Sequence, residues 1–321
     1  MTRETEIIAR LRRFATTPEA RGLLDDAALL DGLVITHDSI AEGVHFLPFD
    51  PPASVGWKLV AVNLSDLAAK GATPAGALLS LVLSDDADWD DQFLTGVEHA
   101  CESYGLPLIG GDTIALPRGA PRMLGLTAIG RAGSNVPDRS GAAPGDLLWV
   151  AGTVGDAGAG LKQLLGNPKA SGPLVEAYRR PVPLLADGRI LAPIAHAMMD
   201  ISDGLLLDAR RMADASNCTF SLELGDVELS EAYCEAEGKS LSACLTAVTS
   251  GDDYALLIAL PPEIDPSTFS LPSGTTIRRI GTVAAGPAAI RLMFEGRPVE
   301  LPETLGYEHR GTSASAMADR D

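Results

Sequence analysis

Residues 54–74 set the pattern that the rest of the chain follows. Leu59, Val62 and Leu67 recur near helical spacing, with small alanines between them. Ser54 is placed to cap the helix, and Gly71 followed by Pro74 to stop it. The stretch predicts a buried helix, yet Asn63, Ser65 and Asp66 fall inside it. Aspartate is a poor helix former and is costly to bury without a partner. A satisfied polar pair in the core fits this position. So does a carboxylate held on a rigid element to grip a cation.

The pattern elsewhere alternates short strands with helices. Ile7, Ile8, Leu11 and Phe14 predict a helix over residues 3–14. Two apolar runs flank Asp31-Gly32, a good hairpin turn. Asp25 and Asp26 precede the first run and Asp38 follows the second, so a hairpin brings them together. Three converging carboxylates need a cation; as plain turn residues, Asp25 and Asp26 need none. A strand over 75–84 follows, and then a helix through Tyr104 that Asp88 is placed to cap. Leu106–Ile109 predicts a short strand ending in Gly110-Gly111-Asp112-Thr113. Such a loop lets backbone approach a phosphate while the Asp holds its metal, and it also fits an ordinary turn. Met123–Gly130 is a further strand.

Residues 132–146 are rich in turn formers and mark a domain boundary. Residues 1–138 and 139–310 are accordingly expected as two domains. The small, polar stretch 311–321 is expected as a disordered tail. After the boundary, Leu147–Ala151 reads as a buried strand and 152–160 as a glycine-rich entry to a helix. Residues 197–208 run from a strand into a helix that Asn217 ends. Asp200, Ser202 and Asp203 cluster at its start, and a helix cap explains one of them but not three. Ser250-Gly251-Asp252-Asp253-Tyr254 repeats the theme of turn, paired carboxylates and strand, and 276–294 give two more strands.

Composition narrows the possibilities. At 321 residues and 46% hydrophobic content, the chain is too long for one ordinary core and too apolar for disorder. It carries 25 Lys+Arg against 43 Asp+Glu, a formal net charge of −18. That charge repels nucleic acid and anionic lipid. No basic patch offsets it, since Arg10, Arg12 and Arg13 lie beside Glu4 and Glu6. Cys101, Cys218, Cys234 and Cys244 show no C-x-x-C spacing, so neither a zinc site nor a disulfide framework is expected. The N-terminus does not read as a signal peptide, and the most apolar stretch, Ala75–Leu83, is too short to span a bilayer. These features predict a cytoplasmic protein without a nucleic-acid or membrane partner.

The acidic pairs, at 25/26, 38, 66, 112, 200/203 and 252/253, are mostly short Asp side chains beside Gly or Ser. Hard divalent cations take such oxygen ligands, and Mg²⁺ completes its shell with water and phosphate. The pattern predicts several Mg²⁺ ions on a phosphate-rich substrate.

These motifs carry a family resemblance. They are Asp25-Asp26-Ala-Ala, Thr36-His37-Asp38, Glu42-Gly-Val-His45-Phe46 and Ala61-Val-Asn63-Leu-Ser-Asp66-Leu-Ala-Ala. Further on come Gly110-Gly111-Asp112-Thr, Arg139-Ser-Gly-Ala-Ala-Pro-Gly-Asp146, Asp200-Ile-Ser202-Asp203-Gly-Leu, Ser250-Gly-Asp252-Asp253-Tyr254 and Gly306-Tyr307-Glu308-His309. Together they resemble the thiamine-monophosphate kinases of the aminoimidazole ribonucleotide synthetase-like superfamily. The resemblance implies a two-domain α/β (α+β) fold, with an N-terminal domain that forms a β-barrel across a homodimer and a C-terminal α/β domain. It implies ATP-dependent, Mg²⁺-assisted phosphorylation of thiamine monophosphate. It places Asp26, Thr36, His37, Asp38, Asp66, Asp112, Asp200 and Asp203 around the metals. It places Gly111, Asp112, Arg139 and Ser202 on ATP, and His45, Asp252 and Tyr307 on thiamine monophosphate. Asp66, Asp112 and Arg139 are the implied catalytic residues.

The chain departs from the family pattern at three places. It has Gly22-Leu23-Leu24 for Gly-Ile-Gly, His37 for Thr and Asp252 for Glu. Two alternatives stand beside this reading: a superfamily cousin with another acceptor, and a non-catalytic cation- or nucleotide-binding protein. The absence of any Cys before Cys101 argues against a selenophosphate synthetase.

Overall fold

A computed structural model describes residues 3–308; His309 and the tail expected over 311–321 lie outside them. The first half runs α1 (Arg3–Leu11), β1 (Ala28–Leu30), β2 (Leu33–Ala41), α2 (Pro52–Ala69), β3 (Thr73–Leu83), α3 (Ala87–Tyr104), β4 (Leu108–Ala115) and β5 (Met123–Arg131). β1 and β2 form the hairpin expected at Asp31-Gly32, with Leu30 opposite Leu33. Asp31 and Gly32 take φ of 49° and 77°, the left-handed pair that a type I′ turn requires. The sheet order is β1-β2-β5-β3-β4. β3 and β4 run parallel, and the other neighbours are antiparallel.

Strand alternation gives this sheet two unlike faces. Val34, Thr36 and Ile40 of β2 are buried on one face, while His37 and Ser39 are exposed on the other. α2 covers the buried face and also meets α3. It is enclosed nearly all round, so it is apolar nearly all round. The α2–α3 crossing is close enough to demand glycine. A Cβ on Gly56 would sit 2.2 Å from the Phe93 carbonyl oxygen, and one on Gly96 would sit 2.0 Å from that of Ala53.

The second half runs β6 (Leu147–Ala151), α4 (Asp156–Gly166), α5 (Pro173–Arg179), α6 (Leu185–Leu191), β7 (Ala197–Ile201) and α7 (Leu205–Ser216). It continues with β8 (Thr219–Glu223), α8 (Glu231–Glu237), α9 (Leu241–Thr249), β9 (Ala255–Leu260), β10 (Ile277–Ala284), β11 (Ala289–Phe294) and β12 (Arg297–Val299). The strands form a mixed seven-stranded sheet in the order β12-β11-β8-β10-β6-β9-β7. β7, next to β9 in that order, abuts α2 and brings the second half against the first. Asn217 ends α7 in a left-handed conformation, as its position predicts.

Four local expectations are corrected. α1 stops at Leu11, leaving Phe14 exposed at 72%. α2 begins at Pro52, with Pro51 in the cap position that Ser54 was expected to hold. Proline suits that first turn because its missing N–H has no partner there anyway. Asp86 rather than Asp88 caps α3, accepting from the Trp89 N–H at 3.1 Å. β4 runs straight through Gly110-Gly111-Asp112-Thr113, which is therefore strand and not loop. β3 supplies the reason: its Leu79 and Ser80 pair with Gly111 and Asp112.

Gly96→Ala tests the helix crossing. The added methyl meets helix backbone that cannot rotate away, so a net loss of about 1–3 kcal/mol is expected despite alanine's better helix propensity. Urea unfolding of both proteins measures it; an unchanged midpoint would contradict the packing described.

Candidate active site

The polar residues inside α2 reach two strands, β2 of the first half and β7 of the second. Asn63 accepts from the Asp38 N–H of β2 at 2.9 Å. Ser65 donates to Asp200 of β7 at 2.7 Å. Asp66 accepts from the hydroxyl of Thr36 on β2. One rigid helix thus holds carboxylates from both halves of the chain together. Oxygens of Asp26, Asp66 and Asp200 all lie within 4.8 Å of one another.

The electrostatics of this cluster are unfavourable in isolation. Burial, followed by Asp38, Asp200 and Asp26, pushes the Asp66 carboxyl well above the usual range. Burial and then Asp26 do the same to Asp200. Burial also raises Asp38. Asp26 differs: burial opposes its charge, but Arg139 and Lys70 outweigh burial and lower its pKa. Lys70 is itself fully buried, 2.5 Å from Asp25 and 3.2 Å from Asp26. Arg139 pairs with Asp26, while its Nε has no hydrogen-bond partner among the described residues. The Asp26 Oδ2 faces the Lys70 ammonium at 3.2 Å. Close, hard carboxylate oxygens from three residues suit Mg²⁺. Asp26, Asp66 and Asp200 are the residues that would hold it.

A cleft of about 1140 Å³ opens onto this cluster. Its walls include Asp26, Asp38, Asp66, Arg139, Asp200, Ser202 and Asp203. His45, Asp252 and Tyr307 line the same cleft. The Ser202 and Asp203 N–H groups both donate to Asp208, which burial raises to about 6 against the pull of Arg211. Arg211 also pairs with Asp203 at 2.5 Å. The ring Nδ1 of His45 accepts from the Ala41 N–H at 3.0 Å, which sets its proton on Nε2.

Three expected residues are not brought into this arrangement. His37 stands on the opposite face of β2 from Thr36 and Asp38, bonded to Thr127 at 2.9 Å and Ser39 at 3.3 Å. Its side chain does not join the carboxylates, because adjacent strand residues point to opposite faces. Gly111 and Asp112 lie on β4, at the far edge of the sheet. Asp112 shares a cross-strand row with Ser80, Gly125 and Ser39, the face away from Asp38. Three strand spacings separate β2 from β4, about 14 Å.

Other residues escaped the sequence reading. Lys58, Lys70, Asp208 and Arg211 hold the site together without belonging to a recognised motif. The two lysines did leave a signal, since a lysine in a helix apolar on every side must find a partner.

Comparison with known proteins follows the same lines. Residues 24–132 match the AIR synthase related protein N-terminal domain, and 143–291 match its C-terminal domain. The thiamine-monophosphate kinase of Escherichia coli is 35% identical over 309 residues, covering 91% of this chain and 92% of that one. That of Caulobacter vibrioides is 34% identical, covering 95% and 90%. The solved structure described as AaThiL complexed with AMPPCP and TMP superposes with a TM-score of 0.82 at 30% identity, covering 95% and 97%.

Asp66→Asn separates charge from shape at the cluster. Because its folded pKa is raised, Asp66 favours folding below its unfolded pKa of about 4, and that contribution is lost as pH rises through the folded value. At pH 7 the metal-free wild type therefore bears the cost of holding this carboxyl buried among its neighbours, and the variant does not. The variant in EDTA is expected to melt about 2–4 °C higher. It is also expected to gain less than wild type from added Mg²⁺. Scanning calorimetry with and without Mg²⁺ checks both; a lower melting point in EDTA would contradict the repulsion.

Proposed function

Since the chain belongs to the thiamine-monophosphate kinase family, we propose that it transfers the γ-phosphoryl group of ATP to the phosphate of thiamine monophosphate, giving thiamine diphosphate and ADP. The observation that carries this reading is one cleft lined by two unlike sets of residues. One set is Asp26, Asp38, Asp66 and Asp200 with Arg139, and the other is His45 and Asp252 with the rings of Tyr178, Tyr254 and Tyr307. The relative solved with AMPPCP and TMP supports placing nucleotide and acceptor in that cleft.

Phosphoryl transfer asks the protein mainly for positioning and charge neutralisation. Asp26, Asp66 and Asp200, with Asp38, Thr36 and Asp203 around them, would hold Mg²⁺, which would supply positive charge against the triphosphate. Arg139 is placed to add a fixed guanidinium, with Ser202 beside it on the nucleotide. His45, Asp252 and Tyr307 are assigned to the acceptor. No side chain is needed as a base. A phosphate monoester has a second pKa of about 6, so the attacking oxygen is already deprotonated at pH 7. His45, with its proton on Nε2, serves as a donor.

The same reading divides the chain into domains at 1–138 and 139–310, and makes it a homodimer in the cytoplasm. No helix among the described residues is long and apolar enough to cross a membrane. β4 is exposed at every position, and Leu108, Ile109 and Ile114 are among its exposed side chains. An apolar edge strand of this kind is satisfied by a second sheet. Gly111 and Asp112 are assigned to that interface side of the sheet, and not to the cleft of their own chain.

A coupled ADP-release assay over a panel of phosphorylated acceptors tests the function. Turnover is expected with thiamine monophosphate and Mg²⁺, and none in excess EDTA; undiminished turnover in EDTA would contradict the metal assignment. His45→Asn keeps a donor and is expected to raise KM for the acceptor. In both proteins kcat should stay flat from about pH 7 upward. A steep loss of kcat in the variant, with disappearance of an ionisation near 6.5, would make His45 the base.

A further inference from the structure

Lys58 lies in the second turn of α2 and is 2% exposed. A buried ammonium must be paired, and the partners of Lys58 are informative. It donates to the His45 carbonyl at 2.9 Å and to the Asp252 Oδ2 at 2.9 Å. It also stands 4.0 Å over the centre of the Tyr178 ring. His45, Tyr178 and Asp252 all line the cleft. They come from three separate segments, and Asp252 lies 194 residues further along the chain. Lys58 is therefore a single tie behind one wall of the cleft.

The loop it ties is held in an unusual conformation. Asp252 and Tyr254 both have positive φ, 70° and 54°, which side chains of their size rarely adopt. The Tyr254 hydroxyl donates to the other Asp252 oxygen at 2.9 Å. Both carboxylate oxygens of Asp252 are thus engaged by protein. Backbone bonds pin the loop from below, with the Asp252 N–H on the Ser202 carbonyl at 2.7 Å.

Charge follows from the same contacts. The cleft is also lined by Asp26, Asp38, Asp66, Asp200 and Asp203. An unpaired Asp252 would add a further negative charge to that field. Lys58 cancels it locally. The wall becomes neutral, aromatic and hydrogen-bonding, and suits a flat heteroaromatic ring better than a metal–phosphate complex.

We propose that Lys58 is a positioning residue for the phosphate acceptor. It fixes Asp252 and the His45 loop in the arrangement that receives the acceptor's ring, and it does not touch the nucleotide. The proposal rests on the functional reading above and names the part of the site that selects the acceptor. A residue that merely held the fold would, when removed, change both substrates together.

Steady-state kinetics of Lys58→Met test this, because methionine keeps the apolar stem and removes the charge. KM for thiamine monophosphate is expected to rise about tenfold or more, equivalent to about 1.4 kcal/mol, with KM for ATP within about twofold. Tyr254→Phe removes one hydroxyl and leaves the packing intact. It is expected to raise the same KM by a smaller factor, and it decides the matter should Lys58→Met fail to fold. A folded Lys58→Met with unchanged acceptor KM, or with both KM values raised equally, would overturn the proposal. So would an unchanged acceptor KM in Tyr254→Phe when that variant decides. Wild-type protein that does not turn over thiamine monophosphate would overturn the functional reading itself, and the two failures are told apart by that control.

Discussion

Mutual repulsion among buried carboxylates is the constraint on which the site depends. Asp26, Asp66 and Asp200 converge within 4.8 Å. Two unit charges at 4 Å repel by about 4 kcal/mol at an effective dielectric near 20. The fold tolerates this because the three residues come from elements that packing holds rigid. Lys70 and Arg139 lie against Asp26 and offset part of the charge. Asp66 and Asp200 keep hydroxyl donors in Thr36 and Ser65. What remains uncompensated is an affinity for cations, and with them for a polyphosphate.

That constraint explains the build of α2. A helix enclosed on nearly every side has no solvent to receive its polar groups. Asn63, Ser65 and Asp66 therefore reach strands on both halves of the chain. Lys58 and Lys70, toward its two ends, reach Asp252 and the Asp25–Asp26 pair. The helix acts as an axle, with the two sheets held to it by specific polar bonds as well as apolar contact. Gly56 and Gly96 let α3 approach closely enough to keep it in place.

Much of this was legible in the sequence where local chemistry decides. The Asp31-Gly32 hairpin, the strand–helix passage through Asp200–Asp203 and the Asn217 helix end follow from turn and cap preferences that act over a few residues. Short acidic side chains beside small residues marked Asp26, Asp66 and Asp200 as candidates, but they marked Asp112 equally, and only the family resemblance drew the three together. The errors arose where a distant partner decides. Gly110-Gly111-Asp112 resembles a loop until β3 is seen to pair with it. His37 lies between two site residues in sequence, yet strand alternation turns it to the other face. Lys58 and Lys70 belong to no motif, because their meaning lies in partners far along the chain.

The most direct test of the account is a crystal structure grown with Mg²⁺ and a non-hydrolysable ATP analogue. The account predicts cation density bounded by Asp26, Asp66 and Asp200, with the triphosphate on its open side. It also predicts that Arg139 turns from Asp26 toward phosphate. Bound nucleotide with no cation among those three carboxylates, and Arg139 still on Asp26, would contradict it.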